Sequence, residues 1–318
     1  MKHPTKLTTI LIIFFIVSQV LGLYIVSQNI DFKKSVEMGE TKFVDLPSGL
    51  ERPEVNESYS WIYIAIGILL GTVLLLVLIK FKLLSLWKFW FFLAVFFCLY
   101  VALATFVGNI IAGLISLLLA YFKIVKPNTY IHNLTELFIY AGLAVIFVPI
   151  LNRTSVIILL LLISVYDMYA VWKSKHMIKL AKFQTDSKVF AGFFIPYSEG
   201  KIVNVKHVKV SKKVKSAKGK RKKSLNKQKI NKTRSSDVQS AILGGGDIAF
   251  PLLFAGVMMK YVVVETYLIS FLKILIIPLC ATIALGGLFY YTKKNRFYPA
   301  MPFITVGCFI GYGLFLLL

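Results

Sequence analysis

The chain has 318 residues, of which 58% are hydrophobic and 16% are charged, and its formal net charge is +23. A soluble domain carries about 25% charged residues and an apolar share nearer one half. The composition therefore excludes a disordered chain, a secreted disulfide scaffold and an ordinary cytosolic enzyme. Long uncharged apolar runs predict an all-α polytopic membrane protein.

Nine apolar runs are candidates for membrane helices, because a bilayer core takes about 20 apolar residues in helical form. The stretch from Phe89 to Tyr121 is too long for one span, and we divide it at Val107-Gly108-Asn109, where Gly and Asn suit a tight turn. The first run is predicted to be a retained span, since its core is too long for a signal peptide and no A-x-A site follows. The predicted spans are roughly 7–27, 60–79, 86–105, 107–122, 134–151, 154–172, 240–259, 266–291 and 300–318.

The distribution of Lys and Arg between short loops predicts the orientation, because cytoplasmic loops carry an excess of both. With a cytoplasmic N-terminus, the short outer loops contain only Arg153 and Lys260. The loop at 28–59 carries seven acids against four basic residues, as an external loop can. We therefore predict a cytoplasmic N-terminus and, with nine spans, an extracytoplasmic C-terminus. The cations then placed inside, apart from those of the longest loop, are Lys2, Lys6, Lys80, Lys82, Lys88, Lys123, Lys126, Lys293, Lys294 and Arg296.

Most of the positive charge lies in one segment between the sixth and seventh predicted spans. Residues 173–239 contain 20 of the 37 Lys and Arg but three of the 14 acids, a net charge of +17. Its core, Lys212 to Lys232, is a low-complexity run that cannot bury enough apolar surface to fold, so we expect it to be disordered. This divides the chain into helices 1–6 at residues 1–173, with the external loop 28–59, a basic cytoplasmic loop at 174–239, and helices 7–9 at 240–318.

Very few acids remain once the loops are set aside. Asp167 lies in the sixth predicted helix and Asp247 in the seventh, whereas Glu136 and Glu265 lie near helix ends and can reach the interface. An ionisable group deep in hydrocarbon costs at least about 2.5–3.5 kcal/mol, so each Asp is a candidate functional residue; a structural interhelical hydrogen bond is the alternative. Each Asp is six or seven residues from the cytoplasmic end of its helix, which places both carboxyls on the order of 10 Å below one membrane face.

Two facing carboxyls at one depth have a defined chemistry. They cannot both ionise, because like charges repel, so they share a proton. The ionised member can take a proton from water as a general base, while the protonated member polarises the scissile carbonyl of a peptide. We therefore predict the site of an aspartyl protease, which needs no cofactor. The four histidines are scattered without ligand spacing, so no metal site is predicted.

The residues next to the two Asp would shape this site. The run Gly244 to Gly246 lets another backbone approach closely and allows local unwinding, and Pro251 loosens the next turn. A helix-packing seam is the structural alternative for the glycines, but it would need no Asp. Tyr166 can place a hydroxyl near the site or at the helix interface. The last predicted helix opens with Pro299-Ala300-Met301-Pro302, which predicts a non-helical start near the carboxylates; a helix beginning with Pro in its first turn accounts for only one of the two prolines.

These three segments resemble the motifs of presenilins. Tyr166-Asp167 resembles the Y-D motif of their sixth helix, Gly244-Gly245-Gly246-Asp247 matches G-x-G-D in the seventh, and Pro299-Ala300-Met301 resembles the P-A-L opening of the ninth, with Met in place of Leu. The ordered set, together with the nine-span layout, resembles an archaeal-type presenilin homologue, an intramembrane aspartyl protease. The resemblance implies that Asp167 and Asp247 are catalytic. Signal peptide peptidases share the motifs but insert in the opposite orientation, so the Lys and Arg distribution favours the presenilin type.

A transporter or cation channel is the first alternative, since intramembrane acids and broken helices also mark such proteins. The sequence contains no internal repeat, and both Asp lie near one face, which argues against it. The basic loop would attract anionic lipid as an accompaniment; it lacks the aromatic residues that nucleic-acid binding would use, so no nucleic-acid partner is predicted. We expect hydrolysis of single-span membrane proteins or peptides within their transmembrane helices, in the cell membrane of a microbe.

Overall fold

Helices make up most of the described part of the chain. The computed structural model describes residues 5–53, 55–81, 83–174, 190–198, 238–262, 267–292 and 298–317. Short 3₁₀ turns lie at Pro47–Gly49 and Val148–Ile150, and a π-helical segment, Tyr169–Ser174, extends the helix before it. The elements, in our numbering, are α1 (Thr5–Gln28), α2 (Phe32–Met38), α3 (Ser60–Lys80), α4 (Leu84–Ala104), α5 (Asn109–Val125), α6 (Thr129–Phe147), α7 (Arg153–Met168), β1 (Gly192–Ser198), β2 (Val238–Gly244), α8 (Gly245–Met259), α9 (Tyr267–Ile274), α10 (Ile276–Tyr291) and α11 (Met301–Leu317).

The helices have the length and composition of an integral membrane protein. Among the described residues, six helical segments are long and apolar enough to cross a bilayer, at Thr5–Gln28, Ser60–Lys80, Leu84–Ala104, Thr129–Ile150, Arg153–Lys173 and Phe271–Tyr291. Three shorter apolar helices, α5, α8 and α11, accompany them. Residues 105–108 interrupt the helical structure between α4 and α5, where we divided the long apolar run. Gly108 immediately precedes α5.

The prediction of an all-α fold is wrong at the start of the seventh span. We expected a helix from residue 240, but β2 continues to Gly244, pairs with β1 in a two-stranded sheet, and gives way to α8 at Gly245. Strand pairing satisfies backbone groups that have no water to bond at membrane depth. Asp247 consequently lies in the first turn of its helix and not two turns inside it.

The eighth predicted span is also divided, into α9 and α10. Pro278 lies in the first turn of α10, and the ring of a helical proline clashes with the carbonyl four residues earlier. That residue is Ile274, the last residue of α9. The predicted disordered run Lys212 to Lys232, and Glu265, lie outside the described residues.

By its contacts the chain forms two units. The first consists of Met1–Ile195 with Ala241–Leu318 and contains all of the helices above. The second is Pro196–Ser240, which is described only at the outer ends of β1 and β2.

Helix α8 lies at the centre of the first unit. It packs against α1, α6, α7, α10 and α11. Every residue from Pro251 to Met259 is buried, as expected for a helix that is apolar on all sides. The helix therefore holds its first residues in a fixed place relative to several neighbours.

Helices α10 and α11 pack closely through two glycines of a G-x-x-x-G pattern, Gly307 and Gly311. A Cβ atom on Gly307 would lie 2.7 Å from the carbonyl oxygen of Cys280, and one on Gly311 would lie 2.7 Å from the Cα of Ile277. Small residues of this spacing let two membrane helices approach at backbone distance. The position of α11, including its first turn, is thus set by α10.

Candidate active site

Asp167 lies in the last turn of α7, and its carboxylate bonds to the beginning of α11. The residue is 5% exposed. Its Oδ2 accepts the backbone N–H of Met301 at 3.2 Å, and the carboxylate accepts a further backbone hydrogen bond from Ala300. The first backbone N–H groups of a helix have no acceptor within that helix. Asp167 of α7 therefore supplies an acceptor for the first turn of α11. One turn earlier, Ser164 Oγ lies 2.5 Å from Thr305 Oγ1, which holds α7 against α11.

The segment Pro299-Ala300-Met301 leads into α11. Pro299 is buried and non-helical, and Ala300 accepts the N–H of Ile304 at 3.1 Å, as the residue before a helix does. Pro302 follows in the first turn, where its missing N–H would have no helical partner in any case. The two prolines therefore fix where α11 begins, and this point is opposite Asp167.

Asp247 is the third residue of α8. Gly244 precedes the helix with an extended backbone, and the carboxylate of Asp247 reaches back to accept a hydrogen bond from the Gly244 backbone. This arrangement is half of a capping box. A Cβ atom on Gly244 would lie 3.2 Å from Oδ2 of Asp247, so glycine leaves room for the carboxylate.

The structure brings Asp167 and Asp247 together. Helices α7 and α8 pack against each other and both contact α11, and the two carboxyls lie close enough to interact electrostatically. Each carboxyl also lies at the N-terminal end of a helix, α11 for Asp167 and α8 for Asp247, where unpaired N–H groups carry partial positive charge. These amides offset part of the cost of placing two acids in a membrane protein near one another.

Other predicted site residues lie around this pair. The Tyr166 hydroxyl is 3.4 Å from Thr72 Oγ1 of α3, so it lies at a helix interface. Gly245 abuts the Tyr140 side chain of α6, because a Cβ atom there would lie 2.7 Å from the Tyr140 hydroxyl oxygen. Gly246 is exposed. The backbone at the start of α8 is therefore packed on the Gly245 side and accessible at Gly246.

The two strands end beside Asp247. The backbone N–H of Gly245 donates to the carbonyl of Ala191 at 3.2 Å, so the start of β1 lies beside the end of β2, as in an antiparallel pair. Gly192 has a φ of 138°, a conformation that favours glycine, and a Cβ atom there would collide with the carbonyl of Leu243. The sheet thus fixes the chain immediately before the helix that carries Asp247.

A buried ion pair beside the strands was not predicted. We expected Glu136 to reach the membrane interface, but it is 1% exposed and its Oε1 lies 2.6 Å from Nζ of Lys123. The two residues belong to consecutive helices, α6 and α5, which face each other across a short turn. Opposite charges on either side of that turn were the available signal. The expectation that Glu136 reaches the interface was wrong because packing of α5, α6 and β1 covers it.

The donors and acceptors at the site suit proton transfer. Both carboxyls are bonded to backbone amides, and a carboxyl so placed can accept or release a proton. Within the described residues, no three His, Cys, Asp or Glu side chains are close enough together to hold a metal ion.

The comparisons with known proteins agree with the motifs. Residues 11–318 match the family described as signal-peptide peptidase, presenilin aspartyl protease. Comparison with curated proteins gives no match. Two solved structures of a presenilin family intramembrane aspartate protease are similar in fold. The one in space group P2 has a TM-score of 0.56 at 16% identity, covering 96% of each chain. The one in space group C222 has a TM-score of 0.57 at 16% identity, covering 96% of this chain and 98% of that chain.

The family match spans nearly the whole chain, and the fold of the solved structures agrees with it. The resemblance predicted from the three motifs is thereby confirmed. The chain belongs to the signal-peptide peptidase and presenilin family of aspartyl proteases, and it is a hydrolase of the intramembrane-cleaving class.

Proposed function

We propose that Asp167 and Asp247 are the catalytic pair of this protease and that it hydrolyses peptide bonds within transmembrane helices of other proteins. The observation that carries the proposal is that these two acids, from different helices, lie within electrostatic range of each other at the starts of α8 and α11. An isolated structural Asp would need one hydrogen-bonding partner and no second acid.

The pair has the groups that peptide hydrolysis requires. The two carboxyls share one proton. The ionised member takes a proton from a water molecule while the oxygen of that water attacks the scissile carbonyl carbon. The protonated member keeps its proton and donates a hydrogen bond to the carbonyl oxygen, which stabilises the negative charge of the tetrahedral intermediate. Collapse of the intermediate breaks the C–N bond, and the leaving nitrogen takes a proton from the pair. Water is consumed, and the pair returns to its starting state.

The remaining predicted residues would shape the site. Gly244 leaves room for the Asp247 carboxylate, Gly245 lets the start of α8 pack against Tyr140, and Gly246 presents exposed backbone. Ala300 and Met301 donate backbone N–H groups to Asp167, and Pro299 precedes them in a non-helical conformation. Tyr166 packs at the interface of α7 with α3. In this proposal none of these residues transfers a proton.

The substrate would bind as an extended strand, because a helix hides its carbonyls in internal hydrogen bonds and unwound backbone in a membrane needs new partners. Backbone groups of successive strand residues point to opposite edges. On β1, the groups of Gly192 and Phe194 already bond to side chains of α6. On β2, Ile242 alternates with the residues that face β1, and it lies five residues before Asp247. The outer edge of β2 is thus the surface that fits an added strand.

The nine-span topology completes the proposal. The six long and three short apolar helices are the candidate spans. The Lys and Arg distribution supports a cytoplasmic N-terminus, an extracytoplasmic C-terminus, and the division into 1–173, a basic cytoplasmic loop at 174–239, and 240–318. The protein would work in the bilayer of a microbial cell membrane on single-span proteins or peptides. The loop would attract anionic lipid, and no nucleic-acid partner is proposed.

The test is cleavage of a panel of single-span helical peptides by the purified protein, with products identified by mass spectrometry. Asp167→Ala and Asp247→Ala should each reduce cleavage by on the order of 10³-fold or more, because members of one catalytic unit fail together. Asp45→Ala, at an exposed position between α2 and α3, is the matched control and should cleave normally. Retained cleavage in either site variant would contradict the proposal. The transporter alternative is not favoured by the family membership, and Asp-dependent ion uptake into liposomes without cleavage is what it predicts.

A further inference from the structure

One oxygen of Glu136 joins two parts of the site. Its Oε2 accepts the backbone N–H of Gly192 in β1 at 3.1 Å, and it also accepts the hydroxyl of Tyr140. The Tyr140 hydroxyl in turn lies against Gly245 at the start of α8. Gly245 is bonded to Ala191, the neighbour of Gly192, at 3.2 Å. These contacts form a closed ring. It runs from Glu136 to Tyr140 within α6, then to Gly245 at the start of α8, and returns through Ala191 and Gly192.

The ring is anchored by a buried cation. Lys123 Nζ lies 2.6 Å from Glu136 Oε1, and it also bonds to Thr135 Oγ1 at 3.1 Å and to His132 Nδ1 at 3.1 Å. Lys123 and Glu136 are both almost completely buried. A buried ion pair is weak evidence for stability, because well-packed apolar residues often replace it without loss. The pair therefore suggests a role in fixing one geometry.

The same face of α6 covers the outer edge of β1. Nε2 of His132 lies 2.8 Å from the carbonyl oxygen of Gly192. The amide side chain of Asn133 bonds to both backbone groups of Phe194, donating to the carbonyl and accepting from the N–H, each at 3.0 Å. Side chains of one helical turn thus take the place of a third strand. β1 is held between α6 and β2, so its position is set by α6.

The position of β1 determines the position of Asp247 through two hydrogen bonds. The bond from Gly245 to Ala191 fixes where β2 ends and α8 begins. Asp247 follows two residues later and is held in the first turn by its bond to Gly244. A displacement of about 1 Å between reacting groups can cost on the order of 100-fold in rate. The alignment of Asp247 with Asp167 therefore depends on the turn that Glu136 holds.

We propose that Glu136, fixed by Lys123, is a positioning residue for Asp247 that acts through Tyr140 and Gly192. It touches neither the substrate nor the reacting atoms. The inference rests on the proposed function, because Asp247 must be catalytic for its alignment to matter. The effect of Glu136 can be separated from that of Asp247, because it changes the hydrogen–deuterium exchange of the strand backbone as well as the rate of cleavage.

The decisive variant is Tyr140→Phe, which removes one hydroxyl from the ring and keeps the aromatic packing. Tyr130→Phe is the matched control, since Tyr130 is 85% exposed at the start of the same helix. We expect Tyr140→Phe to lower kcat about 10-fold or more and to change KM less than kcat, because the Tyr140 hydroxyl lies against Gly245, in the turn that leads to Asp247. Hydrogen–deuterium exchange of a fragment covering 241–247 should become faster, while Tm changes little. Tyr130→Phe should match the wild type in all four measurements.

A second variant tests the acid itself. Glu136→Gln, combined with Lys123→Gln so that no buried charge is left unpaired, should also lower kcat and speed exchange at 190–195 and 241–247. Wild-type kcat in Tyr140→Phe, or a loss of kcat that only follows a loss of folded protein, would overturn the inference. If Asp247→Ala still cleaves, the proposed function fails. If Asp247→Ala is inactive while Tyr140→Phe is normal, only the positioning role fails.

Discussion

The backbone N–H of Met301 donates to Oδ2 of Asp167 across 3.2 Å, so the proposed catalytic acid of α7 also completes the first turn of α11. Asp247 makes its backbone hydrogen bond to Gly244, the residue immediately before its own helix. The two acids thus have different structural roles beside the catalytic role that we propose for both.

This difference predicts unequal costs when the acids are removed. Asp167→Ala should lower the Tm of the purified protein more than Asp247→Ala, because it leaves buried helix amides without an acceptor, which costs about 1–3 kcal/mol. Asp167→Asn keeps an acceptor oxygen and should recover part of the Tm but none of the cleavage. Thermal unfolding in detergent, with cleavage measured on the same samples, checks both statements. Equal Tm values for the two Ala variants would show that the bond to Met301 contributes little.

The opposite end of α8 predicts a pH dependence of stability. Lys260 follows the helix, and its Nζ bonds to the carbonyl of Leu151 at 2.9 Å and lies 3.2 Å from Glu57 Oε1. Burial lowers the pKa of Lys260, and this effect exceeds the opposing effect of Glu57. Between this lowered pKa and the ordinary value of about 10.4, the unfolded chain binds more protons than the folded chain, so stability rises with pH.

We therefore expect the Tm of the wild type, relative to Lys260→Met, to increase as the pH rises toward the ordinary lysine pKa of about 10.4. Other groups that titrate in this interval are common to both proteins and cancel in the difference. The measurement is thermal unfolding of the two proteins across the interval in one detergent. A difference that stays constant would contradict the lowered pKa.

The ion pair between Lys123 and Glu136 predicts a large and partly recoverable loss of stability. Lys123→Met leaves a buried carboxylate without its cation, which typically costs about 3–5 kcal/mol. Adding Glu136→Gln should restore part of this, because the two effects are coupled. Lys126→Met, at an exposed position in the same region, is the control and should change the free energy of unfolding little. Additive losses in the double variant would show that the pair does not interact as described.

The close packing of α10 and α11 predicts a steric effect at a distance from the carboxyls. Gly307→Val should destabilise the protein by about 1–3 kcal/mol and reduce cleavage, because backbone atoms of α10 occupy the space and α11 must shift. Gly313→Val is the matched control, since a Cβ atom on Gly313 meets no atom within 4 Å. Cleavage rate and Tm of both variants test this. An equal effect of the two substitutions would point to helix propensity as the cause.

Strand addition predicts that substrate helicity limits the rate. Gly or Pro placed near the cut site of a substrate should speed cleavage, and a helix composed of Leu should resist it, because unwinding precedes attack. The comparison uses peptides of matched affinity, with kcat as the measurement. Equal kcat values for helix-breaking and strongly helical peptides would show that unwinding is not limiting.

The position of the candidate site could be inferred from the sequence because charge is conspicuous in an apolar chain. Asp167 and Asp247 stand out within uncharged runs. The common depth of the two carboxyls stays a prediction, because the count for Asp247 assumed a helix from residue 240, whereas β2 continues to Gly244. The break between α4 and α5 was also accessible, because Gly108 and Asn109 interrupt a run too long for one span.

The strands and the ion pair could not be predicted from the local sequence, because both depend on packing between separate segments of the chain. A short apolar segment such as Ala241 to Gly244 has no periodicity that separates a buried strand from a helix, and its partner β1 lies far away in sequence. Glu136 near a helix end has the same local pattern as an acid that reaches the interface. Only the arrangement of α5, α6 and β1 around it decides that it is buried.

The pairing of β1 with β2 has a consequence for how this protein can vary. Residues 199–237 leave from one strand of a pair and return to the other, so both attachment points are fixed independently of the length between them. For a connection with fixed ends, each doubling of its length costs only about 0.6 kcal/mol in closure entropy. Insertions, deletions or a fused domain in this segment would leave the turn before Asp247 in register. The segment is therefore the natural point at which homologues can diverge in size, or at which a reporter can be introduced, without rebuilding the enzyme.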